Sequence, residues 1–193
     1  TGGTPTAPVT GFKLADGTQY EDYVLTSDAN GVGTWQPITL KIVTGHNGSG
    51  IDMTFTPTSE YKYTGSYIDL PPGKWQVTIY QLLNPRGDDH LTADQWMFVR
   101  STFSDESGLS LGDITTKSDD ITSNPTLISF LIQGPSSFGV AGDGSSQNRR
   151  YSIVNGTLVI NNQSTASKRY YYIAGNNVVG GTQTTQTFLR RIG

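Results

Sequence analysis

Alternation of apolar and polar residues is clearest on the two sides of the turn Pro71-Pro72-Gly73. Past this turn, every second residue is apolar, so that one face carries Trp75, Val77 and Ile79. A period of two is typical of a strand with one buried side and one solvent-facing side. Proline sets φ near the value that a turn needs, and glycine tolerates positive φ. The stretch therefore predicts two strands joined by a β-hairpin or by a corner between two sheets, with Trp75 in the core.

The rest of the chain repeats this pattern in short pieces. Asn-Gly pairs tolerate positive φ, so Asn30-Gly31 and Asn155-Gly156 each predict a hairpin turn. Because the run at 127–132 is apolar on both faces, it predicts a strand covered on both sides, with a neighbouring subunit as one possible cover. Further strands are predicted at 40–44, 51–55, 95–103, 168–174 and 184–192.

Roughly nine or ten short strands, with turn signals between them and no sustained helical period, favour a sandwich or barrel. We predict an all-β fold, a β-sandwich of jelly-roll type with an extended N-terminal connector. The predicted division is a connector at 1–38 and a head domain at 39–193.

Composition narrows the function classes. Among the 193 residues only 15% are charged, and the net charge is −3. That low and slightly negative charge argues against electrostatic binding to nucleic acid or to an anionic membrane. The chain has no cysteine, which excludes disulfides and thiolate chemistry. It has no apolar run of the ~20 residues that a membrane-spanning helix needs, so we expect no membrane insertion.

Two stretches resemble parts of known proteins. VLTSDANGVGTWQ, which includes Leu25, Asp28, Asn30, Gly31 and Trp35, is similar to a connector in surface and fibre-like proteins of Bacteroidetes bacteria and their phages. YTGSYIDLPPGKWQVTIYQLL and KRYYYIAGN resemble the globular heads of those proteins, which are similar to C1q/tumour-necrosis-factor jelly rolls. The resemblance implies a homotrimeric head joined to a stalk. The resemblance assigns no catalytic or ligand-binding residue to this chain.

Candidate chemistry is sparse. Asp88, Asp89 and His90 are adjacent, but a catalytic triad depends on geometry that adjacency does not supply. With only two histidines the chain cannot build a multi-histidine zinc site alone, and no spacing matches a calcium-binding EF-hand loop. We predict no enzymatic activity, no metal and no cofactor. Recognition is expected instead in the long loops at 84–94, 103–124 and 136–150. The candidate receptor-contacting residues are Arg86, Asp88, Asp89, His90, Asp105, Asp143 and Arg149.

Tyrosines supply the candidate subunit contacts, because they bury area while keeping a polar tip. In a strand, Tyr171 points opposite to its two tyrosine neighbours, so part of this run is expected to leave the domain's own core. The predicted interface residues are Tyr67, Tyr80, Tyr170 and Tyr172.

The leading hypothesis is a trimeric head of a phage fibre or spike, or of a bacterial surface filament. It would lie on a virion or cell surface, join a stalk through its N-terminal segment, and attach to a glycan or protein receptor. The alternatives are a carbohydrate-binding module, in which Trp96 or a tyrosine stacks on a sugar, and a capsid-decorating protein. Trp96 is spaced like a core residue, which counts against the first alternative.

Overall fold

A computed structural model of the chain describes residues 13–55, 57–58, 60–85, 95–124, 126–133, 152–178, 181 and 184–192. The chain divides into two compact units, Thr1–Ile42 and Val43–Gly193. The division therefore falls after Ile42, whereas the sequence placed it after residue 38. The described residues contain strands and no helix, as predicted. The strands are β1 Tyr23–Ser27, β2 Gly33–Pro37, β3 Ile51–Phe55, β4 Tyr61–Leu70, β5 Gly73–Pro85, β6 Trp96–Ser104, β7 Ile114–Thr115, β8 Ile128–Gln133, β9 Ser152–Asn162, β10 Lys168–Val178 and β11 Thr184–Ile192.

In the described part of the first unit, β1 and β2 form a hairpin. Its Asp28 carboxylate accepts backbone hydrogen bonds from Asn30 at 2.9 Å and from Val32 at 2.8 Å. Gly31 follows with a φ of 84°. The prediction of a turn at Asn30-Gly31 is confirmed, and the Asp28 side chain holds that turn together.

The second unit is a β-sandwich. One sheet has the strand order β7-β4-β10-β6-β8, and the other has the order β3-β11-β5-β9, with antiparallel neighbours throughout. β4 lies in the five-stranded sheet and β5 in the four-stranded sheet. The turn at Pro71 is therefore a corner between sheets. Gly73 has a φ of 122°, and the Trp75 indole donates a 2.9 Å hydrogen bond to the Pro71 carbonyl.

The core fills the space between the two sheets in two clusters of buried side chains. One cluster joins Leu83 of β5 to Met97 of β6. The other joins Leu158 of β9 to Phe103 and Tyr172 of the facing sheet, with Trp75 packed against it. Since each cluster draws on both sheets, burial of these apolar faces holds the sandwich together.

The predicted hairpin at Asn155-Gly156 is wrong. β9 runs unbroken through both residues and pairs with β5 along its whole length. A Cβ on Gly156 would lie 2.6 Å from two side-chain atoms of Ile128 on the facing sheet. Glycine is needed here for a close approach between sheets, which local sequence cannot distinguish from a turn.

One further strand prediction is wrong, and another is confirmed as a strand. Residues 40–44 form no strand, and the side chains of Leu40 and Ile42 are 88% and 85% exposed. In β8, Ile128 and Ile132 face the core, but Leu131 points outward and is exposed. Cover of this outer side by a neighbouring subunit stays a prediction.

Candidate functional site

The outer face of the four-stranded sheet carries an exposed apolar patch. Tyr80 and Leu82 lie on β5, and Ile153 lies opposite Leu82 on β9. The side chains of Tyr80 and Ile153 are 72% and 73% exposed, and Leu82 is also exposed. We call these three residues the Tyr80 patch. Exposed apolar residues clustered on one sheet face are typical of a protein-protein contact. Tyr80, a predicted interface residue, is one of the three.

Tyr170 and Tyr172 are placed differently from the prediction. Both side chains are buried in the core of their own chain, where Tyr172 packs against Phe103 with ring centroids 5.4 Å apart. The Tyr170 hydroxyl donates a 2.7 Å hydrogen bond to Asp120. The proposed interface role of these two tyrosines is therefore corrected, because alternation in β10 turns them inward. Tyr171 is the member of the run that faces outward, with its ring 5.0 Å from Tyr63.

Tyr67, the remaining predicted interface residue, lies half-buried on the outer face of the five-stranded sheet. His46 stacks on its ring at 4.8 Å, and the Arg169 guanidinium lies 3.8 Å from the ring centroid. Arg169 also donates two hydrogen bonds of 2.8 Å to Asp69. These hydrogen bonds are the main reason that the pKa of Asp69 is lowered. The two charged groups of this cluster, Arg169 and Asp69, thus pair with each other.

A second cluster on the same outer face follows β6. Trp96 and Phe98 pack edge to face at 5.8 Å, and the Arg100 guanidinium lies 5.5 Å from the Phe98 ring centroid. On β8, Leu131 lies beside Phe98 and Ser129 beside Arg100. We call these five residues the Trp96 face. At this end of β6 the inward residues are Met97 and Val99, so Trp96 is not a core residue, contrary to its predicted spacing.

Asp105, a predicted receptor residue, belongs to an ion-pair network inside the chain. The Lys168 ammonium contacts both Asp105 and Asp120, the second at 2.7 Å. Burial alone would raise the pKa of Asp120, but hydrogen bonds from Lys168 and Tyr170 outweigh it and lower that pKa. The network fixes the segment after β6 to β10.

Backbone hydrogen bonds fix the same segment further. Ser118 donates to the Phe103 carbonyl at 2.8 Å, Asn161 donates to the Asp120 carbonyl at 2.8 Å, and Ile121 is buried in the core. This part of the predicted recognition loop therefore serves the packing of the sandwich.

The other predicted receptor residues lie outside the described residues. These are Arg86, Asp88, Asp89 and His90 in one stretch and Asp143 and Arg149 in another. Among the residues that the structure describes, no three acidic, histidine or cysteine side chains are grouped as a metal site would require. Nor does that part of the chain contain a helix long and apolar enough to cross a membrane.

Comparisons with known proteins identify no relative, so the Tyr80 patch and the Trp96 face are the basis for a functional assignment. No protein-family model matches the chain, and no curated protein or solved structure matches it.

Proposed function

We propose that this chain is the non-enzymatic head and connector of a trimeric fibre, spike or surface filament, and that it serves in assembly and in attachment to a host surface. The exposed Tyr80 patch is the observation that carries the proposal. Burying apolar area against another copy stabilises association by about 25 cal/mol per Å², and a symmetric oligomer repeats the same contact in every subunit.

The connector supplies an independent reason for self-association. Ile38, Leu40 and Ile42 alternate along the chain after β2, and each is largely exposed. In a single chain, three such side chains leave apolar surface in water, whereas close packing of several connectors would bury it. A segment of this kind suits a junction between a stalk and a head.

Strand order supports the jelly-roll part of the proposal. From β3 to β6 each strand lies in the sheet opposite to the strand before it, and the same holds from β8 to β11. Eight strands wound between two sheets in this way are typical of a jelly roll. Jelly rolls are common in viral capsid and lectin domains, and a virion or cell surface is the corresponding location.

Light scattering and sedimentation on the full chain test the assembly. We expect three times the chain mass of 20.9 kDa. Ile153→Asp should weaken the trimer if the Tyr80 patch is the contact, and Leu40→Asp should weaken it if the connector is. Lys74→Asp, on the same outward face of β5 but away from the patch, is the matched control. A wild-type monomer at all concentrations up to about 100 µM, well above a micromolar dissociation constant, would refute the proposal.

A carbohydrate-binding role has a specific observation in its favour. Trp96 lies on the outer face of the sandwich, so the objection that it is a core residue no longer holds. Sugar binding on this face is compatible with a trimeric head, since the Trp96 face and the Tyr80 patch lie on opposite sheets.

A further inference from the structure

Three residues in the middle of the sandwich core carry buried polar atoms that lack a hydrogen-bond partner. They are Gln81 on β5, Ser101 on β6 and Tyr172 on β10, which are 2%, 1% and 2% exposed. Among the described residues, nothing hydrogen-bonds the Gln81 Nε2, the Ser101 Oγ or the Tyr172 hydroxyl. Buried polar groups are normally paired, because one that is left unpaired costs its full desolvation. Each of the three therefore needs a partner other than the side chains around it.

Gln81 and Ser101 lie at the same level of the sandwich, where the two core clusters meet. On β5 and on β6 alike, one inward residue separates the members of the two clusters: these residues are Gln81, between Ile79 and Leu83, and Ser101, between Val99 and Phe103. Each cluster spans both sheets, so the boundary between the clusters is shared by both sheets as well. Gln81 and Ser101 therefore face this boundary layer from opposite sheets.

Tyr172 extends its hydroxyl to the same layer. Its ring packs against Phe103, with the ring centroids 5.4 Å apart, within one of the clusters. Its hydroxyl lies close enough to Ser101 for that side chain to affect its pKa: burial raises the pKa of Tyr172, and Ser101 acts in the opposite direction. The two hydroxyls thus lie side by side on the sheet that Gln81 faces.

Small side chains leave space in this layer. Ser101 lies opposite Ala174 on β10, and Ala174 belongs to the core. Both side chains are smaller than their inward neighbours along the two strands. Towards β9, Ile128 packs over Gly156 and closes the layer on that side. The remaining space lies between β5, β6 and β10, where the three polar atoms are. A buried water molecule needs a small cavity with about three polar partners, and this layer offers both.

The chemistry of the three groups favours a neutral ligand. An amide nitrogen such as Gln81 Nε2 only donates, whereas a serine or tyrosine hydroxyl either donates or accepts. Water matches this set, because it accepts a bond from the amide and forms bonds of either sense with the hydroxyls. An ion would bring an unpaired charge into the core, which is costly. No opposite charge is available from the inward neighbours on these strands, which are Ile79, Leu83, Val99, Phe103, Tyr170 and Ala174.

We propose that one water molecule is bound inside the core at this layer, where it accepts a hydrogen bond from Gln81 and bridges it to the hydroxyls of Ser101 and Tyr172. The water is a structural ligand that joins the two sheets through polar bonds in the middle of an apolar core. Its site lies within a single chain, so it is present whether or not the head is trimeric.

A high-resolution crystal structure of the full chain tests the position of the ligand. We expect one ordered water at hydrogen-bonding distance, about 2.7–3.2 Å, from the Gln81 amide nitrogen and from both hydroxyl oxygens.

Oxygen-17 relaxation dispersion tests the same site in solution. This measurement detects water molecules with long residence times and is insensitive to the exchange of hydroxyl protons. Gln81→Leu combined with Ser101→Ala should remove one long-lived water per chain. Ser101→Ala alone is the milder variant, and it should shorten the residence time by about fivefold, the factor that corresponds to one neutral hydrogen bond.

Gln76→Leu is the matched control. It makes the same substitution on the same strand, but Gln76 is exposed on the outward face of β5. The long-lived waters should therefore be unchanged in this variant. Thermal unfolding of every variant confirms that the sandwich is intact.

Three results would overturn the proposal. They are a direct hydrogen bond between Gln81 and either hydroxyl, a wild-type crystal structure with no water at the layer, and an unchanged number of long-lived waters in the folded double variant. An anomalous bromide peak at the layer, in crystals grown from sodium bromide, would overturn the assignment of a neutral ligand and identify an anion site.

Discussion

Gly156 gives the sharpest test of how the two sheets face each other. Placing a methyl group there puts a carbon 2.6 Å from two side-chain atoms of Ile128. Carbon atoms in contact normally lie ~3.5–4.0 Å apart, so the sheets must separate locally by about 1 Å. Overpacking of this kind costs about 1–3 kcal/mol. Alanine also lowers the conformational entropy of the unfolded chain, which stabilises the folded state by about 0.4–1 kcal/mol. We expect Gly156→Ala to lower the free energy of unfolding by ~0.5–2 kcal/mol.

A double-mutant cycle separates the steric cause from a backbone cause. Ile128→Ala removes both crowded atoms and costs about 2–5 kcal/mol by itself. In the double variant the new methyl group fills part of the cavity, so the combined cost should be ~1–3 kcal/mol less than the sum of the two single costs. Urea unfolding followed by tryptophan fluorescence at one protein concentration measures all four free energies.

The refuting result is additivity. If Asn155-Gly156 formed a turn with positive φ, alanine would be strained whatever stood at position 128, and the two costs would add within ~0.5 kcal/mol. Gly108→Ala provides the matched control, since Gly108 has a φ of 78° and no atom within 4 Å of an added Cβ. Its cost should add to that of Ile128→Ala.

Three smaller predictions concern other parts of the chain. Because the folded pKa of Asp120 lies below its usual value of 3.8, its contribution to stability is complete above that pH and is lost as the pH falls through the lowered pKa. The free energies of unfolding of wild type and Asp120→Asn, measured by urea titration, should therefore differ by about 1–2 kcal/mol at pH 7 and converge as the pH falls below that lowered pKa. Tyr170→Phe should cost about 1 kcal/mol through its lost hydrogen bond to Asp120. Tyr172→Phe should cost less, because the buried Tyr172 hydroxyl lies beside Ser101 without reaching hydrogen-bond geometry; equal costs would contradict this. Asp28→Ala should speed amide exchange at Asn30 and Val32, with Asp28→Asn intermediate, and unchanged exchange would show that the carboxylate does not hold the turn.

Predictions from periodicity succeeded where one strand face meets the core. Val77 and Leu83 face inward on β5 while Tyr80 faces outward, as the alternation requires. The same reasoning misjudged β6, where aromatic residues alternate with Met97 and Val99. Both faces of that strand carry apolar residues, so the sequence cannot say which face is buried. The Trp96 face was missed for this reason.

Composition and local pattern determined that this chain is an all-β protein, that Asn30-Gly31 turns, and that Pro71-Pro72-Gly73 interrupts two strands. Those features depend on φ preferences and on a period of two, which are local. Only the tertiary structure decided that the Pro71 turn joins different sheets and that the Ile128 side chain packs closely over Gly156. It also decided that Tyr170 and Tyr172 are buried while Tyr80 is exposed. Each of these features depends on which distant strand packs against the residue. Local sequence does not specify that strand, so it cannot by itself determine burial.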